Sequence, residues 1–112
     1  MDKRDRVLLT KILEEANKID KFINGMDCDD FLNNDIIQRA VCMTLINIGE
    51  KIKLLSNDIK QENHHVPWKA ISRLRDVTAH GYDTLRMDFI WETISETLPR
   101  LRIQINDIIT KN

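Results

Sequence analysis

Apolar residues recur at intervals of three and four along most of this chain. In residues 4 to 24 the stripe is Leu8, Leu9, Ile12, Ala16, Ile19 and Ile23, followed by Gly25 where a helix cap would stand. That spacing predicts a first amphipathic helix. A second runs from about Asn34 to Asn57, with Ile37, Ala40, Val41, Thr44, Leu45, Ile48, Ile52 and Leu55 on one face and Asn34 or Asp35 as cap. Between the two lies an acidic stretch with Asp27, Asp29, Asp30 and Asp35. It reads as a solvated, capping-rich connection with a short turn at Phe31 and Leu32. A polar loop, "NDIKQENHH", leads to a third helix that opens at Pro67 and closes at Gly81. A fourth, capped by Asp88, carries "FIWETISETL", and Pro99 should kink or break it before "RLRIQINDIIT". Four to five helices with short links predict an all-α, antiparallel up-and-down bundle.

Composition supports that picture. The chain has 112 residues with 3 Gly and 2 Pro, so turns are scarce, and Ile and Leu supply the core. Its 17 basic residues face 18 acidic ones. Any nucleic-acid contact must therefore be a local patch rather than a property of the whole surface. Cys28 and Cys42 are too few for a disulfide framework, and Cys42 in its apolar run reads as a buried thiol. No signal segment and no apolar run long enough for a membrane span are present, so a reduced, cytoplasmic protein is expected.

Candidate chemistry concentrates at the end of the third helix, in "RDVTAHGY", residues 75 to 82. At about 100° per residue, Lys69, Arg73, Asp76 and His80 share a polar strip within roughly 60°. Ala70, Ile71, Leu74 and Val77 are expected to face the bundle. Arg75 lies on the border, about 140° around the helix from His80. A structural role is open to all three motif residues. His80 complements the helix dipole, Arg75 pairs with a carboxylate on a neighbouring helix, and Tyr82 packs its ring. A catalytic role is open as well. RNA carries its own nucleophile, the 2′-hydroxyl, and its cleavage needs a base, an acid for the leaving 5′ oxygen, and a cation for charge on phosphorus. His suits the first two tasks and Arg the third. One helix end supplies one His, so an enzyme of this kind would require a symmetric dimer.

These residues resemble a known family. "RDVTAHGY" is similar to the Arg-x4-His-x-Tyr motif of HEPN-domain ribonucleases, in particular the HepT-like toxins. "VPWKAISRLRDVTAHGY", "DFIWETISETLPRL" and "LINIGEKIKLL" resemble the family's pattern in order and spacing over most of residues 34 to 105. The resemblance implies one HEPN-like helical domain over residues 1–112 that acts as a metal-independent endoribonuclease without a cofactor. Arg75 and His80 would be the catalytic pair. Asp76 would be a supporting residue where family members often have Asn. Tyr82 would be the tyrosine that a minimal nucleotidyltransferase antitoxin modifies with AMP, blocking the cleft by bulk and charge. The implied partners are RNA, a second copy of the chain and that antitoxin. The alternative is a non-catalytic HEPN module that binds a nucleotidyltransferase or a nucleotide.

Other residues are weighed on their own. Lys69, Arg73 and Arg86, with Arg100 and Arg102, are candidates for a local RNA-binding patch. Trp68 and Trp91 are either base-stacking rings or packing residues between helices. His64 and His65 lack further ligands at metal-binding spacing. Gly49 suggests close helix packing, and Glu50 beside it is given no catalytic role.

Overall fold

The computed structural model describes residues 1–80 and 85–111, without the side chains of 77–80. Among these residues every regular element is helical. Helix α1, Lys3–Phe22, starts at Asp2, whose carboxylate accepts from the Asp5 amide at 2.7 Å. Leu8, Leu9, Ile12, Ala16 and Ile19 are buried as expected, but Ile23 is a half-buried cap and Asp5 joins the stripe; the chain then turns through Gly25 at φ +81°, where a side chain would be strained.

The acidic stretch is more ordered than a connection. It forms helix α2, Cys28–Leu32, closed by a reciprocal capping box. Asp27 accepts from the Asp30 amide at 2.8 Å, and Asp30 accepts from the Asp27 amide at 3.1 Å. The aspartates thus serve as caps, and they present Phe31 fully buried to the core.

Helix α3, Asp35–Leu54, is capped by Asn34, which accepts from the Ile37 amide at 3.0 Å. It lies between α1 and α5, and these are the two most extensive helix contacts in the fold. It stops three residues before the expected end. Asp5, buried on α1, accepts from the Ser56 amide at 3.0 Å and the Ser56 hydroxyl at 2.6 Å. Ser56, in extended backbone, caps a new helix α4, Asn57–Glu62, through the Ile59 amide. The first two-thirds of the expected polar loop is therefore helical, anchored by Ile59, which is fully buried.

Helix α5, Trp68–His80, begins one residue after Pro67, whose carbonyl accepts from Ile71 at 3.1 Å. Ile71 is buried and Leu74 half-buried, as expected, but Ala70 is exposed and borders a groove shared with α4. Both tryptophans pack. The Trp68 ring is buried and donates Nε1–H to the Asn63 carbonyl at 3.0 Å, and Trp91 stands 5.4 Å from the Phe31 ring.

Helix α6, Met87–Glu92, corrects the expected cap. Arg86 occupies the capping position without a side-chain bond, and Asp88 sits in the first turn. Asp88 accepts from the Phe89 amide at 2.9 Å and from Arg86 at 2.6 Å. A π-helical turn, Thr93–Thr97, continues into α7, Leu98–Lys111. Helical backbone thus runs through Pro99 without a break, and the irregularity expected at the proline is the π-helical turn before it. Proline cannot donate back to Ser95, and the wider preceding turn accommodates that missing bond. One apolar cluster joins α1 to α7. Cys42 lies within it, and burial pushes its thiol up to about 11, well removed from thiolate reactivity. No described helix is long and apolar enough to cross a membrane.

Candidate active site

The site is set by a glycine. A β-carbon on Gly49 would lie 2.7 Å from the Arg75 β-carbon and 3.2 Å from the Ser72 carbonyl. Only a residue without a side chain lets α3 and α5 approach this closely. That approach lays the root of Arg75 over α3, within reach of the next residue along it.

The next residue is Glu50. Its carboxylate accepts a short hydrogen bond from Arg75 Nε. Arg75 Nη1 also donates to Asp76 Oδ1 at 3.2 Å, and the same oxygen accepts from Lys53 Nζ at 3.3 Å. Four side chains from two helices thus form an alternating chain: Glu50, Arg75, Asp76, Lys53. The Glu50 carboxylate, more than Asp76, raises the Arg75 guanidinium above its ordinary range. Asp76 is held below the usual carboxylate range, first by Lys53 and then by Arg75. The Arg75 side chain keeps 31% of its surface exposed. The cluster therefore fixes a planar cation at the surface where the two helices meet, in a geometry suited to phosphate oxygens.

The expected pairing of Arg75 with a carboxylate on a neighbouring helix is met by Glu50. Glu50 and Lys53 were not singled out for it. The clue available in the sequence was Gly49, because a glycine inside a helical stripe marks where a partner helix comes close. His80 lies in the last turn of α5, about 7.5 Å further along the axis than Arg75. Its side chain and the whole of Tyr82 lie outside the described residues.

The RNA-binding candidates separate. Lys69 and Arg73 line one groove of about 570 Å³ between α4 and α5. Arg86 does not line it and is held by Asp88 at the start of α6. Arg102 is paired with Asp20 on α1. His64 and His65 are exposed, and among the described residues no group of three His, Cys, Asp or Glu side chains is placed to hold a metal ion.

Comparison with known proteins places this architecture. The family model described as "Ribonuclease HepT-like" matches residues 12–108, which include α3, α5 and the whole motif. The chain belongs to the HepT-like ribonuclease family. It is 37% identical over 110 residues to "Putative RNase MJ0127" of Methanocaldococcus jannaschii, covering 97% of this chain and 91% of that one. It is 33% identical over 109 residues to "Putative RNase TTE0752" of Caldanaerobacter subterraneus, covering 97% of each. "Probable ribonuclease HepT" of Thermococcus cleftensis is 31% identical over 102 residues, 91% of this chain and 93% of that one. No solved structure gives a significant match.

Proposed function

We propose that this protein is a metal-independent endoribonuclease, the toxin of a toxin–antitoxin pair. The observation that carries the reading is Arg75, anchored by Glu50 and Asp76 at the α3–α5 contact, five residues before His80 on the same helix. Family membership and the family names of the relatives support the choice of RNA as substrate.

In this reading a His80 imidazole takes the proton from the RNA 2′-hydroxyl. The 2′ oxygen bonds to phosphorus, and the bond from phosphorus to the 5′ oxygen breaks. The leaving oxygen takes a proton from a protonated His80. Products are a 2′,3′-cyclic phosphate and a 5′-hydroxyl. Arg75 bears on the phosphoryl oxygens, where negative charge builds. Asp76 is a positioning residue that steadies Arg75.

Two protonation roles call for two histidines, and a homodimer supplies the second. A stripe of α3 supports such a partner: Ile36, Met43 and Leu54 are exposed apolar residues on one line, and Glu50 stands on that line. Pairing two copies there would bring two Arg75–Glu50 pairs to one cleft. Tyr82, two residues beyond His80, is the proposed acceptor of AMP from a nucleotidyltransferase antitoxin.

The test is cleavage of total RNA in EDTA by unmodified protein, beside Arg75→Ala and His80→Ala variants with unchanged melting. Cleavage by the parent alone is expected. Equal cleavage by all three would assign the activity elsewhere. Silence from all three, with Tyr82 unmodified by intact mass, would favour the non-catalytic module.

A further inference from the structure

The groove between α4 and α5 differs in charge from the ion-paired clusters of the fold. Lys60, His64, Lys69 and Arg73 line it, and none of the lining residues is acidic. The cations of the ion-paired clusters differ: Arg39 lies against Asp35, Lys53 and Arg75 against Asp76, Arg86 against Asp88 and Arg102 against Asp20. Among the described residues no carboxylate pairs with Lys60, Lys69 or Arg73. In a chain of net charge −1 this is a local concentration of unspent positive charge. Between the cations the lining is apolar, with Val66 and Pro67 at the turn into α5.

We propose that this groove is a second RNA contact, a track that holds single-stranded RNA away from the scissile bond. The proposal rests on the ribonuclease reading. Phosphates suit the unpaired basic rim, and bases or riboses suit the apolar patches between them. Direction comes from α5 itself. Lys69 and Arg73 begin the polar strip that continues to Asp76 and His80, and the helix carries it about 16 Å along its axis from Lys69 to His80. A strand lying on that strip reaches the catalytic end after a few nucleotides. Lys60 and His64, one turn apart in sequence on the opposite bank, close the groove from the α4 side. An acidic protein segment would answer the charge but gains nothing from the strip's course toward the end of α5 that carries His80.

The test uses a short single-stranded 2′-O-methyl RNA, which keeps the phosphates and removes the nucleophile, with anisotropy read across a salt series. The parent and a Lys60→Ala, Lys69→Ala, Arg73→Ala variant are compared, with Lys11→Ala on α1 as control. The triple variant is expected to bind at least roughly tenfold more weakly. Its salt slope should fall by roughly 2, at about 0.7 for each single-strand phosphate contact removed. If the triple variant fails to melt cooperatively, Lys69→Glu and Arg73→Glu, each made singly, should still weaken binding and lower the slope. Unchanged affinity and slope in variants of a parent that binds and cleaves RNA would overturn the groove alone. No salt-dependent RNA binding by the parent would overturn the ribonuclease reading as well. Displacement by AMP as effective as by the strand would make the groove a mononucleotide pocket, and equal displacement by polyglutamate would make it a general acidic-chain site. Either result overturns the track.

Discussion

Two cation-bearing regions share helix α5, and they differ in how their charge is balanced. Around Arg75 two cations and two carboxylates alternate, so the cluster is close to neutral and its geometry is fixed. In the groove that Lys69 and Arg73 line with Lys60, no acid is present. A neutral, cross-braced cation is poor at attracting a polyanion from a distance but well oriented once one arrives. Unpaired surface cations attract and slide but orient little. The comparison teaches that attraction and orientation can be assigned to different stretches of one helix.

The strongest way to break that division is to remove the oriented cation. Arg75→Ala is expected to lower RNA cleavage by roughly 10²–10³, as loss of one preorganised stabiliser of transition-state charge does. Binding of the 2′-O-methyl strand should change far less than in the groove variant. Equal losses of binding in the two would merge the regions into one site. Gly49→Ala comes next. Its new methyl meets the Arg75 β-carbon, which cannot swing away as a flexible tip would. A loss of about 1–3 kcal/mol in stability is expected from chemical denaturation. Cleavage should fall further than the unfolded fraction explains, because Arg75 is displaced. Unchanged stability would show that α3 and α5 have room to spare. Smaller again is Met43→Glu, a charge on the exposed stripe of α3 beside Glu50. The proposed dimer should dissociate in sedimentation at concentrations where the parent is paired, with cleavage falling in step. A parent that is monomeric throughout would remove the composite cleft.

Much of the fold was readable from spacing, since the stripes of α1, α3 and α5 are long and regular. What escaped the periodicity was short or depended on a distant partner. Helix α2 has five residues, and its order comes from the Asp27–Asp30 capping box rather than from a stripe. Helix α4 depends on Asp5, 51 positions away, which pins Ser56 and ends α3 early. Missing α4 also concealed the groove, because Lys60 and His64 look unrelated when read as loop. At the candidate site, the motif marked Arg75 directly. Glu50 and Lys53 became visible only once the α3–α5 crossing was known, since no local pattern ties residue 50 to residue 75. Lys69 and Arg73 stayed together because helix geometry alone places them, whereas Arg86 and Arg102 were claimed by acids that sequence spacing did not reveal as partners.

The finest test concerns Asp76, which belongs to the braced cluster yet lies on the same strip as Lys69 and Arg73. Lys53 and Arg75 depress its folded-state pKa, so its ionised form contributes stability above the unfolded carboxylate value of about 3.9. That contribution is lost as pH falls through the lower folded value. A comparison of Tm between the parent and Asp76→Asn should therefore show a gap that is constant above about pH 5 and closes only below about pH 4. The gap will be small, because these are exposed pairs weakened by solvent and salt. The same reasoning separates two titrations in the cleavage profile. Asp76 stays anionic throughout the range where histidines change charge, so an acid limb between about pH 5 and 8 belongs to another group and should persist in Asp76→Asn. A limb that shifts with this substitution would mean that Asp76 governs the proton-transferring group electrostatically. The brace around Arg75 would then belong to the acid–base chemistry as well as to the holding of a cation.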